Sequence, residues 1–295
     1  MNIENFEITS GVNKHQSASI EKNDRMIDYT SSKKLSFLDI LSITQGLNVI
    51  SEFFDVNAVV TVSNTGVCAV ALGKSLDEAL VEVIDSNPVD YMDANVIVSA
   101  EVNSDMAKML KQTNVVVAPK FTKNAIEYFD SHDICYVTIN TPLKDYKKYL
   151  SEEIRVTPLG TLVQAPNLGE LQKDTFKVVS KAKPTVEQIE DAVFAWKVAK
   201  HVKSQAIVIA KDLKTSAISQ GLQVSFVEHA LNYACEKTKD AILASDMPLT
   251  VYDINAAAQG RVALIIVPEA SKDVIAAADK LQMAIITTGI TNILY

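Results

Sequence analysis

The spacing of apolar residues changes repeatedly along the chain, which predicts alternating helices and strands. Leu38, Leu41, Leu47 and Ile50 recur at helical spacing, and the short apolar run 57–62 (NAVVTV) follows them. Short β-branched runs bounded by polar residues are typical of buried strands. Further helical patterns cover 75–84, 104–111 and 122–129, and further strand patterns cover 95–99, 114–118 and 134–139. The alternation predicts an α/β fold with a largely parallel sheet.

The second half of the chain repeats the order of the first. Residues 115–140 (VVVAPKFTKNAIEYFDSHDICYVTIN) and 264–289 (LIIVPEASKDVIAAADKLQMAIITTG) align over 26 residues without a gap, each as strand, proline, helix and strand. Upstream, 57–64 matches 205–212 at nearly the same offset. General α/β patterning explains part of this match, but the common offset at two separate places favours an internal duplication.

The repeat divides the chain into four segments. The polar stretch 1–34 is interpreted as an irregular lead-in, and 35–140 as the first α/β/α half. Segment 141–180, which contains several prolines and glycines, is interpreted as a linker before the second half, 181–295. The lone Trp196 lies on the apolar stripe of the first helix of that half, so we expect it to pack in the core.

Composition narrows the class of protein. The chain has 295 residues, of which 48% are hydrophobic and 22% charged, enough for one large core or two medium ones. No run approaches the ~18 apolar residues of a membrane span, and the first residues lack the pattern of a secretory signal. Three widely spaced cysteines, Cys68, Cys135 and Cys235, argue against a disulfide framework and indicate a reduced, cytoplasmic compartment.

Charge and motif content exclude several kinds of site. The net charge is −8 with only three arginines, so nucleic acid is not an expected partner. Nine glycines and the absence of GxGxxG and GxxxxGK[ST] exclude a glycine-cradled nucleotide site. The zinc-deaminase, HExxH and GxSxG motifs are also absent, and no metal site is expected.

The histidines and Cys68 are the first candidates for chemistry. His15 lies in an irregular segment, where functional residues concentrate, and is a candidate for ligand contact. His132 and His229 are expected to be solvated, and His201 to lie on a helix surface. Cys68 follows a strand, where α/β proteins place ligands, but its apolar neighbours raise a thiol pKa and favour a packing role. Residue types alone predict no catalytic constellation.

Eight segments in collinear order carry a more specific signal. In the first half, 11–16 (GVNKHQ) is similar to the motif YGENPHQ, 35–41 (LSFLDIL) to LSYNNIL, and 67–80 (VCAVALGKSLDEAL) to PCGVAVGDSLLEA. The later segments are 161–171 (TLVQAPNLGEL), 178–192 (VVSKAKPTVEQIEDA), 193–212 (VFAWKVAKHVKSQAIVIAKD), 242–246 (ILASD) and 274–290 (VIAAADKLQMAIITTGI). Together they resemble the AICAR formyltransferase domain of the bifunctional purine-biosynthesis family over essentially the whole chain.

The resemblance implies a fold, an activity and an assembly. It implies a duplicated cytidine-deaminase-like fold and a role in de novo purine biosynthesis. The family transfers a formyl group from 10-formyltetrahydrofolate to the amine of AICAR without a metal, as an intertwined homodimer with sites at the interface. No counterpart of the IMP cyclohydrolase domain is found, so we expect a stand-alone formyltransferase domain.

The family's catalytic pair is the clearest departure. In its KHTNPCG-like motif, the histidine takes the amine proton and the lysine assists the developing charge. The corresponding stretch here is 62–68 (VSNTGVC), with Ser63 at the lysine position and Asn64 at the histidine position. General-base catalysis contributes ~10²–10⁴ in rate, and asparagine does not accept a proton at neutral pH.

Other family positions divide into losses and matches. The changed positions are Thr9 and Ser10 in the motif RYGENPHQ, 91–94 in AFGG, Gln205 in KSNAI, 220–225 in GAGQMSR, 247–249 in SDAFFPF and 291–295 in RHFRH. The candidate substrate-binding residues are Asn13, His15, Gln16, Asn64, Lys200, Gln205, Asp246 and Asp253. For Asp246 and Asp253, a place in a pocket and a helix-capping role both remain open.

These departures leave two main interpretations. The chain is either an AICAR formyltransferase with a rearranged site, in which His15 acts as the base, or a non-catalytic paralogue with a binding, regulatory or scaffold role. In a third, weaker interpretation, the altered pocket takes a different and less phosphorylated ligand. Whether the protein is an enzyme is therefore left open by the sequence.

Overall fold

The structure is a computed structural model that describes residues 5–8, 10–13, 15–21, 23, 25–171, 175–221 and 226–294. Its strands are β1 (Asn5–Glu7), β2 (Ser19–Glu21), β3 (Tyr29–Ser31), β4 (Asn57–Ser63), β5 (Gly66–Gly73), β6 (Asn95–Val98), β7 (Val115–Ala118), β8 (Cys135–Ile139), β9 (Glu153–Thr157), β10 (Gly160–Gln164), β11 (Lys177–Val178), β12 (Ile207–Lys211), β13 (Lys214–Ser219), β14 (Ile242–Ser245), β15 (Leu264–Val267) and β16 (Ala284–Thr287). Its helices are α1 (Phe37–Ile50), α2 (Leu76–Ser86), α3 (Pro88–Tyr91), α4 (Ser104–Met109), α5 (Lys123–Ser131), α6 (Val186–Ala199), α7 (Phe226–Ala234), α8 (Val251–Gln259) and α9 (Lys272–Lys280). Short 3-10 segments lie at Ser51–Phe53, Leu143–Tyr149 and Cys235–Thr238.

One sheet runs through both halves of the chain. Its twelve strands have the order β11-β16-β15-β14-β12-β13-β5-β4-β6-β7-β8-β3. From the centre outward, one side consists of β5, β4, β6, β7 and β8 of the first half, with β3 of the lead-in at the edge. The other side consists of β13, β12, β14, β15 and β16 of the second half, with β11 of the linker at the edge. The two halves therefore have the same strand order, and they meet where β5 and β13 pair antiparallel at Ala71 and Lys214.

The α/β class predicted from the sequence is confirmed, but the prediction of a largely parallel sheet is wrong. Among the strands of the described residues, parallel pairs lie within β6–β7–β8 and within β14–β15–β16. Each half also contains an antiparallel hairpin, β4–β5 or β12–β13, which lies at the centre of the sheet. The sequence pattern missed β5 because it follows β4 after only two residues, Asn64 and Thr65.

Capping boxes fix the starts of the long helices. Ser36 Oγ accepts a hydrogen bond from the Asp39 amide at 3.1 Å, and Asp39 accepts one from the Ser36 amide at 2.8 Å. Thr185 and Gln188 form the same box at the start of α6. Each box satisfies amide groups that a helix leaves without intrahelical partners. Trp196 on α6 is only 2% exposed, which confirms its predicted place in the core.

The sheet separates two apolar layers. Ala58, Val60 and Val62 of β4 pack in the layer that also contains residues of α1 and α6, whereas Val59 points into the layer of α2. This alternation follows from the two-residue repeat of a strand. The layer of α1 and α6 is continuous between the halves, because the Phe53 and Phe194 rings lie 5.4 Å apart. The opposite face has two clusters, one for each half.

Two segments outside the repeat have structure of their own. The lead-in, interpreted from sequence as irregular, contains β1, β2 and β3, and β3 forms one edge of the large sheet against β8. The linker contains β9 and β10, which form a separate antiparallel hairpin. It also contains β11, which pairs with β16 at the other edge of the large sheet. No helix within the described ranges is long and apolar enough to cross a bilayer.

Candidate functional site

The turn between β4 and β5 carries Ser63 and Asn64, the two residues that the sequence resemblance aligns with the family's catalytic pair. Ser63 pairs with Gly66, and the two residues between them have positive φ, 46° at Asn64 and 67° at Thr65. Two consecutive positive φ values are typical of a type I′ hairpin turn. Asparagine tolerates this conformation well, whereas the β-branched threonine does not. The sequence therefore places Ser63 and Asn64 at the exposed tip of a central hairpin.

Both halves of the chain hold this tip in place. The Thr65 amide donates to Ser42 Oγ of α1 at 3.3 Å. Lys203 Nζ, from the second half, donates to Thr65 Oγ1 at 3.1 Å. The position of Asn64 is thus fixed by its hairpin, by α1 and by the segment that precedes β12.

A polar cleft opens beside the tip, between the two halves. It has a volume of about 340 Å³ and is called the hairpin cleft below. Its lining comes from the β4–β5 tip, the start of α3, the end of β13 and the exposed side of α7. The lining residues are Ser63, Asn64, Gly66, Val67, Cys68, Asn87, Asp90, Ile218, Gln220, His229, Ala230 and Tyr233.

A chain of hydrogen bonds crosses the cleft and orients its carboxylate. Tyr233 Oη donates to Asn87 Oδ1 at 2.8 Å, and Asn87 Nδ2 donates to Asp90 Oδ2 at 2.8 Å. The Asp90 amide donates to Asn87 Oδ1 at 3.1 Å, which caps α3. Burial, together with the charge of Asp90, raises the pKa of Tyr233 and keeps its hydroxyl a donor. Asp90 is exposed and lines the cleft.

Cys68 is not an activated thiol. Burial, with the negative charge of Asp90 as the second cause, raises its pKa to about 12. Since the thiolate is the reactive form, a neutral thiol at this position is a poor nucleophile. This agrees with the packing role expected from its apolar neighbours.

The hairpin cleft contains little positive charge. Asp90 is the carboxylate of the lining, His229 on α7 is the only imidazole, and neither lysine nor arginine belongs to the described lining residues. Ser63 and Asn64 contact each other through a long Nδ2–Oγ hydrogen bond of 3.5 Å. Within the described part of the chain, no three His, Cys, Asp or Glu side chains are grouped as metal ligands would be.

The three matched residues of the lead-in form a turn of their own. Asn13 Nδ2 and the Asn13 amide both donate to Gln16 Oε1 at 2.9 Å. The Gly11 amide donates to the Gln16 carbonyl at 2.9 Å, and a Cβ on Gly11 would lie 2.9 Å from Gln16 Cβ. His15 is exposed on this turn. Asn13 and Gln16 thus stabilise the turn by contacting each other.

Lys200 belongs to a buried ion cluster. Its Nζ lies 3.0 Å from Glu52 Oε1 and donates to the Gly169 carbonyl at 2.8 Å. Lys147 Nζ contacts Glu52 Oε2 at 3.0 Å. These contacts join the 3-10 segment after α1, the linker and the residue that follows α6. Lys200 also lines a second cavity of about 820 Å³. The amine of Lys200 is therefore engaged within the fold.

The expectation that His201 lies on the surface is wrong. Its side chain is 15% exposed, and Nε2 lies 3.2 Å from Glu52 Oε1. Burial lowers the pKa of His201, with the hydrogen bond to Glu52 acting in the opposite direction. For Glu52, burial raises the pKa, but the hydrogen bond from His201 and the charge of Lys200 outweigh it and hold the pKa well below its usual range. The helical pattern did not reveal this partner, which lies 149 residues earlier.

Asp246 and Asp253, the remaining residues that match the family motifs, bind partners within the fold. Asp246 Oδ1 accepts from the Ala206 amide at 2.8 Å, and Oδ2 accepts from Ser204 Oγ, so Asp246 binds residues on both sides of the half-buried Gln205. Burial raises the pKa of Asp246. Asp253 forms a capping box with Thr250 at the start of α8, which is the capping role left open by the sequence.

The structure therefore separates the candidate residues into several places. Ser63 and Asn64 line the hairpin cleft, and Lys200 lines the second cavity. Of the changed family positions, 9, 222–225 and 295 lie outside the described residues. The lining residues that sequence reasoning missed are Asn87, Asp90 and Tyr233. Gln220 was identified only as a changed family position, and His229 was interpreted only as solvated. The Asn87–Pro88 pair is typical of a helix start, and it was the local sequence pattern that could have indicated a role for Asn87 and Asp90.

Comparison with known proteins finds the same family as the sequence resemblance. The sequence profile of the AICARFT/IMPCHase bienzyme family matches residues 2–237. The bifunctional purine biosynthesis protein PurH of Caldicellulosiruptor saccharolyticus is 34% identical over 300 residues, covering 96% of this chain and 58% of that protein. PurH of Thermoanaerobacter sp. is 33% identical over 297 residues, covering 96% and 57%, and PurH of Cyanothece sp. is 33% identical over 271 residues, covering 89% and 52%. The chain thus spans a little over half the length of these relatives.

Proposed function

Because the chain belongs to the AICARFT/IMPCHase bienzyme family, we propose that it is an AICAR formyltransferase-like protein of de novo purine biosynthesis. In this proposal the hairpin cleft binds an aminoimidazole carboxamide ligand, but Ser63 and Asn64 replace the lysine and histidine that carry out formyl transfer. The protein then acts as a non-catalytic binding or regulatory member of its family, in the cytoplasm. It does not bind nucleic acid, and it does not use a metal.

One observation carries this proposal. Ser63 and Asn64 lie at the tip of the central hairpin and line a cleft of suitable size for a small ligand. A hydroxyl and an amide there can donate and accept hydrogen bonds, but neither takes up a proton at neutral pH nor carries a positive charge. The cleft keeps a place for the ligand and lacks the general base of the family.

A second candidate function has support from His229. This imidazole lines the same cleft as Asn64, whereas His15 lies on the separate turn of Asn13 and Gln16. If the protein transfers a formyl group from 10-formyltetrahydrofolate to AICAR, His229 is better placed than His15 to accept the amine proton. The first candidate is favoured because no lysine belongs to the described lining.

The finer description of the fold is also part of the proposal. The equal strand order of the two halves supports a duplicated cytidine-deaminase-like fold, with halves at 35–140 and 181–295. The lead-in 1–34 and the linker 141–180 then add the edge strand β3 and the β9–β10 hairpin.

A homodimer is supported by the β9–β10 hairpin. This hairpin is a separate two-stranded sheet, and its exposed apolar side chains are Ile154, Val156, Leu159, Leu162 and Val163. An isolated two-stranded hairpin is marginally stable in water, and exposed apolar patches mark interaction sites. We expect a second copy of the chain to cover this hairpin.

Restoring the family pair tests the proposed function. The double variant Ser63→Lys with Asn64→His is assayed for formyl transfer from 10-formyltetrahydrofolate to AICAR. We expect it to exceed the wild-type rate by roughly 10²-fold or more, the range of general-base catalysis.

A matched control is available at the equivalent hairpin of the second half. Asp212→His places a histidine after Lys211 in the β12–β13 turn, where Asp212 has φ 54°, similar to Asn64. This control should not gain activity. Wild-type turnover equal to that of the double variant would overturn the proposal, and so would a double variant that binds AICAR without any gain in rate.

A further inference from the structure

We propose that the hairpin cleft selects an unphosphorylated aminoimidazole carboxamide, as the nucleoside, over the corresponding nucleotide. This inference rests on the proposed function and adds the class of ligand. Asp90 is the specificity-determining residue in this proposal, and Asn87 and Tyr233 are its positioning residues.

The charges of the cleft disfavour a phosphate. Proteins bind phosphate mainly through arginine, lysine and unpaired backbone amides. Neither arginine nor lysine belongs to the described lining of the hairpin cleft. The Asp90 amide, at the start of α3, is already bound to Asn87 Oδ1.

Lys203 contacts the β4–β5 turn through Thr65, outside the lining of the cleft. Lys203 donates to Thr65 Oγ1 at 3.1 Å, and neither residue belongs to the lining of the cleft. Asp90 is the carboxylate among the described lining residues, and its charge repels a phosphate dianion in the same cleft.

The polar groups of the cleft suit an uncharged carboxamide with an exocyclic amine. Asp90 Oδ2 accepts from Asn87. In this proposal Oδ1 accepts from the ligand amine. The amides of Asn64 and Gln220 supply a donor and an acceptor each, the complement of a carboxamide. Val67, Ile218 and Ala230 add apolar contact area for a heteroaromatic ring.

The position of Asp90 depends on the other half of the chain. Asn87 is 5% exposed, and its side chain binds both Tyr233 and Asp90. A buried amide with satisfied partners has one favoured orientation. Tyr233 on α7 and the Asp90 amide both donate to Asn87 Oδ1, and together they fix the direction in which Asn87 presents its Nδ2 to Asp90.

Calorimetric titration of the full chain with two probes tests this inference. The probes are AICAR and its dephosphorylated nucleoside, at the same salt concentration and pH. We expect the nucleoside to bind at least tenfold more tightly than AICAR. Asp90→Asn should reduce this ratio at least fivefold, because it removes the negative charge but keeps the shape and the bond to Asn87. Asp212→Asn, in the exposed turn of the other hairpin, is the matched control and should leave the ratio unchanged.

The outcomes separate the two proposals. Tighter binding of AICAR than of the nucleoside overturns the proposed ligand class but leaves binding in the cleft intact. An affinity ratio of nucleoside to AICAR that Asp90→Asn does not change has the same consequence. Absence of binding by either probe, with an unchanged circular dichroism spectrum, overturns the proposed function and this inference together.

Discussion

Tyr233, in the second half of the chain, donates its phenolic hydrogen to Oδ1 of Asn87, in the first half, at 2.8 Å. The two residues lie on opposite sides of the junction between β5 and β13. Asn87 then donates to Asp90, so the carboxylate of the hairpin cleft is oriented by a contact between the halves. The cleft is a product of the joined sheet, and neither half contains it alone.

Removal of the Tyr233 hydroxyl should weaken the fold at this junction. We expect Tyr233→Phe to lower the free energy of unfolding by about 0.5–1.5 kcal/mol, because the buried Asn87 loses a hydrogen-bond donor. Urea denaturation measures the change. The control is Tyr252→Phe, which removes a hydroxyl that contacts Glu228 from a side chain 58% exposed, and it should cost less. Equal effects of the two substitutions would contradict the structural role of the Tyr233 bond.

Glu52 should be sensitive to substitution because it is a buried carboxylate at the centre of an ion cluster. Its side chain is 5% exposed and contacts Lys147, Lys200 and His201. Removing one partner of a buried ionic cluster leaves uncompensated charge, so we expect Glu52→Gln to lower the free energy of unfolding by about 3–5 kcal/mol.

The control for Glu52 is an exposed ion pair. Glu236 contacts Arg261 at 3.1 Å with its side chain 94% exposed, so Glu236→Gln should cost about 0–1 kcal/mol. Denaturant titrations of both variants make the comparison. A cost for Glu52→Gln no larger than that of Glu236→Gln would show that the cluster does not stabilise the fold.

The stability of the protein should fall on mild acidification because of His201. Burial lowers its pKa in the folded state, so the unfolded chain binds a proton more readily near the unperturbed value of about 6.5. Stabilisation by neutral His201 is complete above that pH and is lost as the pH falls through about 6.5 towards the folded pKa. Glu52 acts in the same direction at lower pH, because its folded pKa is held below the unfolded value of about 4.3.

Unfolding curves at several pH values between about 7.5 and 5.5 measure this effect, in the window where the pKa of His201 is decisive. His201→Gln should flatten the dependence of the unfolding free energy on pH. His132→Gln, at an exposed histidine of α5's end, should leave it as in the wild type. An unchanged slope in His201→Gln would contradict the assignment.

The fold was largely predictable from repeated local patterns. Segments 115–140 and 264–289 correspond to β7–α5–β8 and β15–α9–β16, equivalent elements of the two halves. The hairpin partner β5 was missed, because a type I′ turn formed by Asn64 and Thr65 lacks the glycine that usually marks such turns. Because β5 was missed, the antiparallel pairs at the centre of the sheet were not predicted.

The candidate site was less predictable, because its contacts join residues far apart in the sequence. Ser63 and Asn64 could be placed by motif, but Asn87 and Tyr233 meet across 146 residues. The contact between Glu52 and His201 was not predicted for the same reason. It depends on how α1 and α6 pack on one face of the sheet. Asp253 shows the opposite case, since a capping box is a local pattern and its capping role was among the sequence expectations.

Association through the β9–β10 hairpin should be sensitive to charge at its apolar face. Val156 is 84% exposed, and we expect Val156→Lys to shift the protein towards monomer in sedimentation experiments, because a lysine would be buried between two copies. Val186→Lys, at a valine 69% exposed at the start of α6, is the control and should keep the assembly of the wild type. Dissociation by both substitutions, or by neither, would contradict an interface at the hairpin.

The central claim is that the hairpin cleft binds its ligand without formyl transfer, because Ser63 and Asn64 supply no general base. The most direct test measures transfer from 10-formyltetrahydrofolate to AICAR by absorbance at high concentration of the wild-type protein. We expect no rate above that of the uncatalysed mixture. Clear turnover that disappears in His229→Ala or in His15→Ala would contradict the claim and identify the base that replaces the family's histidine.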